Sequence, residues 1–337
     1  MEKSNNQPSI SAPKLIPTFV AGFNAITSHI YLILFPAALD FLLWLGPLVR
    51  IKNLFQPIFD QSIQQMSSVY PADTLQLMQA SKAAIFEFLD HFNLLIALRS
   101  YPIGIPSLMV GIGPLNNPLG PLSITEVGNS GSIIWIVIAC LLVGTILGSI
   151  FFSLTAQATR TKPQPLNITQ IIDTVKNSLI YFGLTIVLGV GLAIPSVFII
   201  SSITLFFPSL GNVPFFIFGL ALIWILLPFA FSPHGIFTDH KSAWNSIQTS
   251  MRLVRKYLPG TGVFFLIAIL TSQGLDMLWA TPDPSDWMVI VGILGHAFIS
   301  CGLVAASFVY YSKGLEFMQE KIRQEAAKQT HPGAAIQ

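Results

Sequence analysis

Charge is what this sequence has least of. Asp, Glu, Lys and Arg make up 9% of its 337 residues, while 53% are hydrophobic. An ordinary soluble domain carries roughly 25% charged residues, so most of this chain's surface is expected to face lipid. Cysteine is nearly absent too. Cys140 and Cys301 both sit in apolar runs, which excludes a disulfide framework and a Cys-rich zinc motif and leaves two small packing residues. Also missing are a P-loop, GxSxG, HExxH and a complete GxGxxG fingerprint. That disfavours ATP-driven transport and the common hydrolytic sites of soluble enzymes, and nothing calls for a cofactor, a metal or a nucleic acid. A removable signal peptide is not expected either. The first apolar run starts near Ala25 after a polar, Pro-containing lead; it lasts about 22 residues, longer than a signal core.

What is present is a set of long apolar runs. A helix needs about 20 apolar residues to cross the hydrocarbon, and six runs qualify: 25–47, 132–156, 179–206, 213–233, 261–280 and 287–311. Backbone polar groups in lipid must be satisfied within the segment, so the fold class is an all-α polytopic membrane protein with six transmembrane helices. Pro36, Pro195 and Pro228 lie inside these runs and predict kinks.

The cations set the orientation. One alternating set of segments, 1–24, 157–178, 234–260 and 312–337, holds most of them, from Lys3, Lys14, Arg160, Lys162 and Lys176 to Lys313, Lys321, Arg323 and Lys328. The other set holds Arg50, Lys52, Lys82 and Arg99, all within 48–131, a segment long enough for the positive-inside bias to weaken. Its two short loops, "PSLGN" and "ATPDPSD", carry none. The expectation is a cell (inner, cytoplasmic) membrane protein with both termini cytoplasmic.

The cytoplasmic segments have a pattern of their own. "LNITQIIDTVKNSL" (166–179) puts Ile168, Ile171, Ile172, Val175 and Leu179 on one helical face, with Asn167 as N-cap. "SAWNSIQTSMRLVRKYL" (242–258) aligns Trp244, Ile247, Met251, Val254 and Leu258, with Arg252, Arg255 and Lys256 opposite. "KLIPTFVAGFNAI" (14–26) aligns Leu15, Phe19, Phe23 and Ile26. Each runs into a span, so the chain reads as three copies of an amphipathic helix followed by a transmembrane hairpin. Such helices lie in the headgroup layer with basic groups toward anionic lipid. Lys241, Arg252, Arg255 and Lys256 are therefore candidate lipid-facing residues. The competing reading is a solvated helix that anchors the next span.

"FTDHKSAWNSIQTSMRLVRKYLPGTGVFFLIAIL" and the later "GLVAASFVYYSKGLEFMQE" resemble a group of poorly characterised bacterial multi-pass membrane proteins. The group includes YciC-like proteins and the membrane domain fused to some glycerophosphodiester phosphodiesterases. The resemblance covers 166–320 and implies an integral membrane fold. It carries no catalytic signature, and the remainder is too short for a phosphodiesterase barrel, so it implies no such activity. The insertion at 48–131 departs from the pattern.

That insertion is expected to be extracytoplasmic and partly helical. "PIFDQSIQQMSSVY" carries Ile58, Phe59, Ile63, Met66 and Tyr70; after Pro71 a helix of about 27 residues carries Leu75, Met78, Ile85, Phe88, Leu89, Phe92 and Leu95. "YPIGIPSLMVGIGPLNNPLGP" then follows, uncharged and rich in Pro and Gly, which is neither regular helix nor central strand. It reads as a segment against the membrane or the bundle mouth, either a lid or a connector. "GTILG" (144–148) in the second run predicts a close helix–helix contact.

One carboxylate stands inside the first run, in "FPAALDFLLWLGP" (35–47). An Asp at mid-span costs about 2.5–3.5 kcal/mol, and about ten Leu, Ile and Phe neighbours return roughly 3–6 kcal/mol. Asp40 can thus insert. Gln273 falls at about the depth of Asp40, about 10 Å from the same end of its run, Asp276 lies one turn shallower, and His296 lies about 13 Å deep. Polar groups at like depth tend to face one another, so Asp40, Gln273, Asp276 and His296 form a candidate intramembrane cluster. It is open to three readings: a hydrogen-bonded clip, a titrating route for a proton, ion or amphiphile, or a catalytic or metal site. His29, His234 and His240 lie near the opposite face, where interfacial solvation is expected. The functional expectation is a non-catalytic membrane protein that binds anionic lipid or a membrane-protein partner, as scaffold or accessory factor. The alternative is a secondary transporter or channel coupled through Asp40 and His296, with an intramembrane lipid-processing enzyme behind it.

Overall fold

The computed structural model describes residues 12–67, 71–161 and 167–330; Lys3, Tyr70 and Lys162 lie outside them. The fold is an all-α polytopic membrane protein, with strand confined, among the described residues, to two short pairs. Among the described residues, five helical segments are long and apolar enough to cross a membrane: Ser130–Ala158 (α6), Ile168–Phe206 (α7), Val213–Thr238, Leu258–Trp279 (α11) and Val289–Gln324, the last within α12 (Val289–Thr330). The first run is a pair of helices bent by 91°, Leu15–Ser28 (α1) and Ile30–Leu45, which makes a sixth span only if the pair is counted as one; its second part is a 3-10 turn and α2 (Leu34–Leu45). The break falls at His29, not at Pro36. Pro36 sits in the first turn of α2, where its missing N–H has no partner to lose. Pro228 does mark a change of helix. It lies in a 3-10 turn, Leu227–Phe229, between α8 (Val213–Leu226) and α9 (Ser232–Thr238).

The chain divides into two compact units. The first takes the chain up to Ile30, Phe152–Leu270, and Cys301 onward. Its core is aromatic: Phe231, Phe264, Tyr310 and Tyr311 are buried with Leu253, Val254 and Ala306. Phe19, Phe264, Tyr310 and Phe231 stack in series, with centroids 5.0, 4.6 and 5.5 Å apart. Helix α10 (Ala243–Lys256), capped by Ser242, packs Ile247, Leu253 and Val254 into this unit. The apolar face read from its sequence is thus covered by protein, except that Trp244 is 60% exposed. The 166–179 segment behaves in the opposite way. It is continuous with the span that follows, forming α7, and its cap is as read: Asn167 and Gln170 make a reciprocal capping box. Yet Thr174 and Ser178 are its buried residues, while Ile168 and Ile172 are 74% and 60% exposed. In lipid the small and polar side of a helix turns to its neighbours and the apolar side faces out.

The second unit comprises Tyr31–Phe151 and Thr271–Ser300. Here β1 (Leu48–Arg50) pairs in parallel with β4 (Ile124–Glu126), and β2 (Asn116–Asn117) with β3 (Gly120–Pro121). Between them run α3 (Lys52–Met66), α4 (Ala72–His91), a 3-10 helix Leu94–Arg99 and α5 (Met109–Ile112). Helix α4 stops four residues short of Leu95. Phe92 is extended, and the Asn93 side chain caps the 3-10 turn by accepting from the Leu95 N–H. Asn93 also accepts from Val49 N–H and donates to Pro47 O, each at 3.1 Å. Arg50 joins Glu126 and Asp90 at 2.6 and 3.1 Å, and Lys52 shares Asp90.

Candidate functional site

The buried carboxylate of Asp40 is held by the uncharged Pro/Gly segment. Asp40 lies on α2 and is fully buried. Ser107 Oγ donates to its Oδ1 at 2.5 Å, Met109 N–H to Oδ1 at 3.0 Å and Leu108 N–H to Oδ2 at 3.1 Å. Ser107 Oγ in turn accepts from Val110 N–H at 3.3 Å. Asp40 therefore acts as an N-cap supplied from another helix, satisfying donors that the first turn of α5 cannot satisfy itself.

The same segment threads against the second span. A Cβ on Gly148 would come within 2.7 Å of Gly104 Cα, and one on Gly144 would strike the carbonyl of Leu98. The small-residue pattern does mark a close approach, but by the end of the 3-10 helix at Leu98 and the irregular backbone at Gly104 rather than by a second spanning helix. Both glycines lie at the middle of α6, so residues 98–104 sit at the depth of its centre. Irregular backbone at such depth requires burial in protein, and Ile103, Ile105, Leu108 and Met109 are all buried.

The rest of the predicted cluster forms a separate pair. His296 Nδ1 and Asp276 Oδ1 are 2.6 Å apart, and Ser272 Oγ reaches Asp276 Oδ2 at 3.4 Å. With the carboxylate ionised, the imidazole proton belongs on Nδ1. His296 is 4% exposed, and its Nε2 is buried with no hydrogen-bond partner. No hydrogen bond joins it to Asp40, whose carboxylate is held instead by Ser107, Leu108 and Met109. Gln273 is exposed and belongs to neither group; the place expected for it beside Asp276 is taken by Ser272, one turn back. Gly295 accommodates the Trp279 ring, whose atoms would lie 2.8 Å from an added Cβ, which brings the two helices together beside this pair. Among the described residues, no group of three or more His, Cys, Asp and Glu is placed to hold a metal.

The basic residues fall in two classes. Lys241 is paired with Asp239 at 2.8 Å. Arg252, Arg255 and Lys256 are exposed and make no ion pair among the described residues. His234 is buried, not interfacial. Its Nε2 lies 2.7 Å from Ser307 Oγ, and its ring packs on Phe308. Ser107 is the site residue that periodicity could not find. The visible signal was a serine after proline, immediately before a short apolar run, which is an N-cap signature.

Comparisons with family models, curated proteins and solved structures give no match.

Proposed function

We propose that this chain is a non-catalytic integral membrane scaffold or accessory protein that binds anionic lipid at its cytoplasmic face, with both termini on that side. The observation that carries the reading is the outward face of α10. There Arg252, Arg255 and Lys256 are exposed and make no ion pair among the described residues, Trp244 is exposed at the other end of the helix, and the opposite face is locked in the core. A cation near an anionic leaflet contributes about 1 kcal/mol, and tryptophan favours the headgroup layer. The positive-inside distribution of the remaining cations supports the same orientation. The test is native mass spectrometry of the protein extracted from mixed phosphatidylcholine and phosphatidylglycerol. Phosphatidylglycerol adducts should be enriched and should fall several-fold in the triple variant Arg252→Gln, Arg255→Gln, Lys256→Gln. An unchanged adduct pattern refutes the reading.

The transporter alternative rests on one observation, the buried, unpartnered Nε2 of His296 next to a carboxylate partner. Asp40 does not favour it, because three donors already occupy that carboxylate. Proteoliposomes that show pH-dependent flux abolished by His296→Ala would establish this second reading.

A further inference from the structure

The helical pair α3 and α4 is short of internal burial. None of the 15 residues of α3 is buried, and α4 buries only Phe86 and Leu89. An isolated helix of this length is marginal in water, so the apolar surface left between the two needs an occupant. That surface is a groove of about 460 Å³ with Ile58, Ile63, Leu77, Met78 and Ile85 in its walls. A second groove of about 390 Å³, lined by Asp60, Gln79 and Phe86, shares Ile63 and Lys82 with it. Both fall in the size range of small-molecule sites, about 300–1,000 Å³. Lys82 thus stands at the junction of an apolar trough and a polar end. Its ammonium pairs with Asp60 and lies 5.4 Å from the centre of the Phe86 ring, which Lys52 approaches at 5.8 Å from its own position.

We propose that this groove binds a single-chain anionic amphiphile such as a fatty acid, with its tail between Ile58 and Leu77 and its head on Lys82. The polarity of the two grooves runs in the same order as such a molecule: hydrocarbon wall, then a polar end that holds Lys82 in pair with Asp60. A partner helix or a second copy would demand an apolar stripe along the whole pair, which Asp60, Gln79 and Lys82 interrupt. The Lys82–Asp60 pair is no obstacle. Asp60 has a half-exposed side chain, and exposed ion pairs hold by about 1 kcal/mol or less. The incoming head takes the ammonium while Asp60 turns to water. Supply is at hand, because α3 begins seven residues after the end of α2, the second arm of the bent apolar pair.

The experiment uses the full chain in phosphatidylcholine nanodiscs, titrated with a dansyl-labelled fatty acid of medium length. Saturable fluorescence above that of empty nanodiscs is expected. Leu77→Glu puts a carboxylate in the trough at a position 69% exposed in the native fold; it should keep the wild-type melting temperature and weaken binding by about tenfold or more. Lys82→Gln should weaken the fatty acid severalfold but leave the dansyl-labelled alcohol of equal length unaffected. Gln76→Glu, exposed and outside the groove walls, should change neither. The proposal is overturned by the absence of saturable binding, or by equal affinity in Leu77→Glu. Dimers that dissociate on Leu77→Glu, without fatty-acid binding, also overturn it and make a second copy the occupant.

Discussion

Asp40 and Ser107, 67 residues apart in sequence, meet at 2.5 Å inside the second unit, in a contact fully withdrawn from water. The carboxylate in the first span is therefore a fastening for the Pro/Gly segment. Removing it strands two backbone N–H groups, those of Leu108 and Met109. An unsatisfied buried donor costs about 1–3 kcal/mol, and bonds to a charged acceptor contribute about 1.5–3 kcal/mol. Asp40→Ala should lower stability by about 3–5 kcal/mol on this count. Asp40→Asn should cost less, about 1–3 kcal/mol, because one oxygen survives while its amide group faces a donor. Thermal unfolding of detergent-solubilised protein reads both. An unchanged melting temperature in Asp40→Ala would remove the fastening role.

Gly148 offers a second, independent probe of the same segment. Its hypothetical Cβ meets the backbone of Gly104 at 2.7 Å, and backbone cannot swing aside as a flexible side chain can. Gly148→Val should destabilise by about 1–3 kcal/mol or more, and should raise the reactivity of a cysteine placed at Ile103 toward a water-soluble maleimide. Gly183→Val is the control, since nothing lies within 4 Å of that position. Equal melting temperatures for the two valine variants would contradict the proximity of 98–104 to the centre of α6.

The loop at 281–288 carries a pH prediction. Asp283 accepts from Ser285 N–H at 2.8 Å and from the Ser285 hydroxyl, and these bonds hold its carboxyl below the usual range. A carboxyl depressed in the fold contributes order that is fully present above its unfolded pKa, about 3.9, and lost as pH falls through the lower folded value. Trp287 in this loop stacks edge-on against Trp44, whose Nε1–H donates to Pro284 O at 2.7 Å. Tryptophan emission should change on acidification below about pH 4, and Asp283→Asn should flatten that change. An identical acid profile in the variant would exclude Asp283 as its source.

How far the sequence could be read depended on what covers each surface. The six apolar runs were legible because lipid imposes a length and a composition that few folds imitate. The faces of α7 and α10 were legible as faces, but periodicity does not state whether lipid or protein lies against them. Ile172 and Ile247 occupy matching places in their patterns, yet the first is 60% exposed and the second 8%. The polar residues were legible as anomalies, since each costs free energy that some partner must offset. Depth gathered Asp276 and His296, both on regular helices, into one layer, although it put Asp276 shallower than His296. It could not find Ser107 for Asp40, because an aperiodic segment has no rise per residue from which to compute a position.

Asn93 shows what such an aperiodic segment depends on. One side chain, 5% exposed, ties three places in the chain: it accepts from Val49 N–H at the first strand and from Leu95 N–H at the 3-10 turn, and donates to Pro47 O. The amide puts a two-lone-pair acceptor and a donor on separate atoms, so Oδ1 takes both N–H groups while Nδ2 reaches the Pro47 carbonyl. Asn93→Ala removes all three bonds and should cost about 2–4 kcal/mol at roughly 1 kcal/mol per neutral bond plus the stranded groups. Asn93→Asp keeps both acceptances but turns a charge toward the Pro47 carbonyl, so it should lose stability as pH rises and the new carboxyl ionises. Hydrogen exchange at Val49 and Leu95 separates this from general unfolding. Both amides should lose protection in Asn93→Ala ahead of those in the middle of α6, and loss at a common rate would mean that Asn93 acts only through global stability.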